Sequence, residues 1–298
     1  MSRSGQTAVA AEALGVGEFE TARLARKYVL DCVNLVAQTI QQDHVTTLLF
    51  LATVTANISH VTHNAVLADS LGDQVPADDQ RQPVSLYALA RTYHLSYETA
   101  RRHLKKLMEA GLVVRAPDQG LRVPAAVLTG PAVADIVLRH HELTRAFLLA
   151  LQGKDARGEP PIMTPRLQAA RITTEYFLTF LRISAETISK DLVTTLVCLA
   201  ITQALTEQHP VMGGDQERPS TTVLAAARML NLPYETARRH AHKLIRLGFC
   251  ERAETGKIRL GEDLKTRDST RAYLAVTVAE TIRLAQRLRP ADLAAVAA

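Results

Sequence analysis

Apolar residues recur three and four positions apart over much of the chain, the spacing that lines one face of a helix. Val29, Val33, Val36 and Ile40 form one such stripe, and Phe177, Leu181 and Ile188 form another. The pattern predicts helices from Phe19 to Gln41 and from Leu167 to Ser189. Each is followed by a nearly uniform apolar run, around Val45–Ile58 and Leu192–Leu205, opened by Asp43 or Asp191 as N-cap. Both runs are too short and too rich in Thr for the ~20 residues of a membrane span, and they read as buried core helices. Further helices are expected over about 132–152 and 269–288.

This two-fold recurrence extends to the residues themselves. YETARRH stands at Tyr97–His103 and again 137 residues later at Tyr234–His240. Around it, RTYHLSYETARRHLKKLMEAGLVVRA from Arg91 pairs without gaps with RMLNLPYETARRHAHKLIRLGFCERA from Arg228. Upstream, DHVTTLLFLA from Asp43 pairs with DLVTTLVCLA from Asp191 at a separation of 148, a register that also relates Arg23 and Tyr28 to Arg171 and Tyr176. The difference of eleven falls in a polar loop that is longer in the first copy. The chain is therefore an internal duplication. Residues 1–17 read as a tail, 18–153 as the first copy, 154–165 as a Gly- and Pro-bearing linker, and 166–298 as the second copy.

Within each copy the best-matched stretch predicts a helix-turn-helix. Ser85 to Tyr93 makes two turns, His94–Ser96 makes the corner, and a second helix runs from Tyr97 to Ala110 with Ser96 as cap, or from Tyr234 to Leu247. Gly111 and Gly248 stop it. Two short runs of strand formers around PDQG or ETG then predict a hairpin, or wing. The expected fold is mainly α, with two tandem winged helix-turn-helix modules embedded in flanking helices. On the second helix Tyr97, Ala100, Leu104, Leu107 and Met108 face inward at 100° per residue. Glu98, Thr99, Arg102 and Lys106 lie opposite, flanked by His103 and by Arg101. Glu235, Thr236, Arg239 and Lys243, flanked by His240 and Arg238, repeat that face, whereas Leu104 and Met108 have drifted to Ala241 and Ile245. Packing alone would preserve the inward face first. An outward face preserved at the helix N-terminus points to base edges in a DNA major groove. Arg102 and Arg239, with Glu98, Thr99, Glu235 and Thr236, are expected to read bases, and Lys106, Lys243, Arg115 and Arg252 to touch phosphates. Arg122 and Arg259 recur on the returning strand. They would rest on the DNA backbone or in the minor groove, or else pair across the hairpin with an acid.

This module resembles the winged helix-turn-helix of bacterial transcriptional regulators of the GntR type, and is similar to those of the IclR and MarR types. The likeness rests on ALARTYHLSYETARRHLKKLMEAGLVVRAPDQGLRVP. It implies DNA contacts from Ser96, Tyr97, Thr99 and Arg101, and from Tyr234, Thr236 and Arg238 in the second copy, where Pro233 replaces the serine. GntR regulators carry one such module and an effector domain, whereas here a second module takes that place.

Composition adjusts this picture in a few respects. In 298 residues, 35 Lys and Arg against 30 Asp and Glu give +5, so a DNA partner is carried by local placement of charge. Aromatic residues make up only 4%, with no Trp, which disfavours a stacking platform for single strands. Three distant cysteines build neither a disulfide framework nor a CxxC metal site, which fits a reducing cytoplasm and the nucleoid. His60 and His63 lack a third ligand, His140 and His141 read as decoration of a helix surface, and MGGD at Met212–Asp215 is no phosphate loop. No catalytic constellation, cofactor or metal site is expected, so the chain reads as no enzyme, and no membrane partner is expected. The leading expectation is a sequence-specific double-stranded DNA-binding regulator of transcription reading two similar half-sites. A winged-helix replication or partition initiator, and a protein-interaction module of a chromosome-organising complex, are the alternatives. A homodimer of the whole chain is compatible with the pattern, and the small-molecule effector is unknown.

Overall fold

The computed structural model describes residues 16–117, 120–153, 164–208 and 218–288. Most of the expected tail and linker, and the MGGD segment, lie outside them. The protein is mainly helical. The first half comprises α1 (Glu18–Thr39), α2 (His44–Thr62), α3 (Ala65–Leu71), α4 (Leu86–Thr92), α5 (Tyr97–Glu109), strands β1 (Val114–Arg115) and β2 (Leu121–Arg122), α6 (Ala125–Leu128) and α7 (Pro131–Leu151). The second comprises α8 (Arg166–Ile188), α9 (Leu192–Gln208), α10 (Val223–Met229), α11 (Tyr234–Arg246), strands β3 (Cys250–Arg252) and β4 (Ile258–Leu260), and α12 (Asp268–Leu288). Apart from the short α3 and α6, the order of helices and strands is the same in both.

Local chemistry sets these boundaries. Asp43 caps α2 by accepting from the Thr46 amide at 3.0 Å, and Ser96 caps α5 by accepting from the Thr99 amide at 3.1 Å. The corners before α5 and α11 each pass through one left-handed residue, His94 at φ +50° and Asn231 at φ +48°, which stand 137 apart like the motifs. Gly111 and Gly248 leave the same helices at φ +69° and +73°, where a side chain would be strained. Both hairpins are antiparallel, pairing Val114 with Arg122 and Glu251 with Arg259. A third short segment bridges each of them, Val84 to Leu121 and Thr221 to Ile258.

The two halves share one hydrophobic core. Helix α1 packs against α7 of its own half and α12 of the other, and α8 packs reciprocally against α12 and α7. Val29, Val33, Phe177 and Leu181 are all buried there. The rings of Tyr28 and Tyr176, equivalent residues, meet at 6.4 Å between centroids. Each phenol bonds the equivalent threonine of the closing helix, Tyr28 to Thr144 at 2.8 Å and Tyr176 to Thr281 at 2.9 Å. Helix α2 is long and apolar enough to cross a membrane, but 61% of that stretch is buried inside the protein, packed on α1, α5 and α8.

Candidate nucleic-acid interface

Helix α5 presents Ala100, Leu104 and Leu107 inward, with Met108 half-buried, and α11 presents Ala237, Ala241 and Leu244. Burial of one face turns the other to solvent. Arg102 and Arg239 are exposed there, and among the described residues neither has a hydrogen-bond or ion-pair partner. Their neighbours differ: Arg101 holds Glu98 through two contacts of 2.8 and 2.7 Å, and Arg238 holds Glu235 at 2.9 and 2.8 Å. Thr99 and Thr236 are half-buried, and Ser96 is exposed. Tyr97 and Tyr234 stand about half out of the protein rather than packing on the preceding turn, at 55% and 47% exposure.

The flanking histidines are placed otherwise than expected. His103 and His240 do not border an exposed face; both are buried. The Thr46 hydroxyl donates to Asp43 Oδ2 at 2.8 Å and therefore accepts from His103 Nδ1 at 2.7 Å, which fixes the proton on Nδ1. Lys106 Nζ donates to the same Asp43 oxygen at 2.9 Å. The second half repeats the cluster, with Thr194 to Asp191 at 2.9 Å, His240 Nδ1 to Thr194 at 2.8 Å and Lys243 to Asp191 at 2.8 Å. Burial lowers both imidazoles from their ordinary value, against the raising effect of Asp43 or Asp191, so both are neutral near pH 7. Burial would raise Asp43, but the Thr46 amide, the Lys106 ammonium and His103 outweigh it and hold its carboxyl low; Asp191 is held low in the same way. The recurrence of His and Lys in YETARRHxxK is thus tied to the recurrence of Asp and Thr in DxVTT, a pairing of the two repeated blocks that motif spacing alone did not reveal. The cluster fastens α5 and α11 to the N-termini of α2 and α9. Lys106 and Lys243 keep partial exposure beside it.

The hairpins add further cations. Arg115 and Arg252 are exposed, with no partner among the described residues. Arg259 takes the cross-strand arrangement, bonding Glu251 at 2.7 Å, and Arg218 shares that carboxylate at 2.7 Å. In the first half the position of Glu251 is Val114, and the arrangement changes. Arg122 donates to the Asp78 carbonyl instead. Arg81, the counterpart of Arg218, is 1% exposed, and among the described residues it has no hydrogen-bond partner on Nε, Nη1 or Nη2. Burial lowers its guanidinium, with Asp78 raising and Arg122 lowering it further.

His140 does not decorate a surface. It is buried, with Nε2 3.2 Å from Tyr28 Oη, and burial takes it down to about 4. His63 pairs with Glu175 at 3.1 Å. All three cysteines are buried. Among the described residues no group of three or more His, Cys, Asp or Glu is disposed to hold a metal. Comparison of the chain with family models, with curated proteins and with solved structures found no match.

Proposed function

We propose that the protein binds double-stranded DNA sequence-specifically through two tandem winged helix-turn-helix modules and regulates transcription. The observation that carries this reading is the exposed Arg102 on α5, matched by Arg239 on α11, each accompanied by an exposed arginine on the adjoining hairpin, Arg115 or Arg252, none of the four having a hydrogen-bond or ion-pair partner among the described residues. An exposed guanidinium that no acid holds in an ion pair is free to fork onto a guanine edge or a phosphate. Glu98 and Glu235, held by their own arginines, serve to orient Arg101 and Arg238. Tyr97 and Tyr234 project at the helix N-terminus, within reach of the sugar-phosphate backbone.

The test is selection of bound fragments from random double-stranded DNA by the full chain. Enrichment of a site containing two related half-sites supports the reading. Recovery of unselected sequence, with equal loss on specific and random DNA when Arg102 is truncated, overturns it.

A further inference from the structure

A cavity of about 100 Å³ lies between α1, α2, α7 and α8. Its walls are mostly apolar, formed by Val54, Ile58, Ile136 and Phe177 among others, with Thr55, Thr174, Arg171 and Glu175 among the polar groups; Glu175 is itself held by Arg287 at 2.9 Å and by His63 at 3.1 Å. The internal duplication shows what usually fills such a space. Thr174 corresponds to Arg26, and Thr55 and Ile58 correspond to Gln203 and Thr206. In that second setting Arg26 spans from α1 to α9, with Nε 3.2 Å from Gln203 Oε1 and Nη2 3.2 Å from Thr206 Oγ1. One half therefore closes the interhelical space with a guanidinium and two polar partners. The other has exchanged that cation for the shorter threonine and one of the partners for isoleucine, and keeps the space open.

We propose that this cavity is a binding site for a small monocarboxylic acid with a compact apolar body, such as one ring or a branched chain. A chamber of this size and lining matches a single-ring hydrocarbon, since an apolar cavity of comparable volume stays dry and takes up benzene. The acid is argued from Arg171. Its guanidinium donates only to backbone oxygens, to Gly72 at 3.0 Å and to Gln74, and no carboxylate lies within ion-pair distance among the described residues. Asp73 is close enough to favour its charge, but the buried Arg81 is close enough to oppose it, and burial brings Arg171 down to about 10. Arg81 has Asp78 beside it and Glu175 is held by Arg287, which leaves Arg171 without an ion pair of its own among the described residues, and an Arg fork binds a carboxylate in preference to a neutral group. The site is independent of the DNA-binding reading.

The experiment is a titration of the full chain, labelled with 13C at isoleucine methyl groups, with benzoate and separately with benzamide. Saturable shifts confined to Ile58 and Ile136 are expected with benzoate, at least tenfold weaker with benzamide. Thr174→Arg, which reproduces the filled half, should abolish them, and Ile58→Phe does the same task should that variant not fold. Arg171→Gln should weaken benzoate at least tenfold and leave benzamide unchanged. No saturable shift, shifts that survive the filled variants, or equal affinity for benzamide would each overturn the proposal.

Discussion

Val114 stands where the second half has Glu251, so the buried Arg81 lacks the carboxylate that Arg218 finds there, and among the described residues its guanidinium has no hydrogen-bond partner. A buried donor with no acceptor forfeits the hydrogen bonds it would make in water, about 1–3 kcal/mol. Val114→Glu is expected to stabilise the protein by about that amount by recreating the shared carboxylate opposite Arg122. Glu251→Val should destabilise it similarly; urea unfolding of both variants checks the pair. Arg102 makes no contact that folding needs, so Arg102→Ala should leave stability within about 0.5 kcal/mol while weakening specific DNA binding by about 1–3 kcal/mol. Its exposure was legible in the sequence from helical periodicity alone. The burial of His103 was not, because a histidine at the margin of an amphipathic face is turned inward or outward by its partner. That partner, Thr46, stands 57 residues away.

Helices α5 and α11 owe their setting to α2 and α9. Asp43 does two tasks at once, capping α2 and receiving Lys106, so Asp43→Ala should cost more than the ~1 kcal/mol of an ordinary cap. Calorimetry should place it, and Asp191→Ala, at about 1–3 kcal/mol. Lys106→Ala should weaken binding to every DNA sequence alike and lower the salt slope by about one. The helices, corners and hairpins could be read in advance from caps, glycines and alternation, which act over a few residues. The packing of α1 on α12 could not, since each stripe is apolar whatever it faces.

At the scale of the molecule, burial of titratable groups sets the response to acid. His44 and His140 are both brought by burial to about 4, while in the unfolded chain they titrate near 6.5. Between those values the unfolded state binds more protons than the folded one, so stability falls as pH falls through that window, by up to about 3 kcal/mol for each. Urea midpoints measured from pH 7 to pH 4 should show the decline, and His140→Gln should flatten it. The shared core bears equally on DNA. Two modules set on one rigid body should require half-sites about 34–36 Å apart, and inserting five base pairs, about half a helical turn, should abolish most of the affinity. Retention of affinity across several spacings would show that the modules move independently.

The interlocked packing of α1, α7, α8 and α12 also changes how the protein responds to scarcity. Two separate subunits joined by such a core would dissociate when few copies are present, and their effective strength would vary with the square of their number. Here the partner surface travels on the same chain, at an effective concentration that dilution does not touch. Occupancy of a target should then rise in simple proportion to the number of molecules, down to a handful.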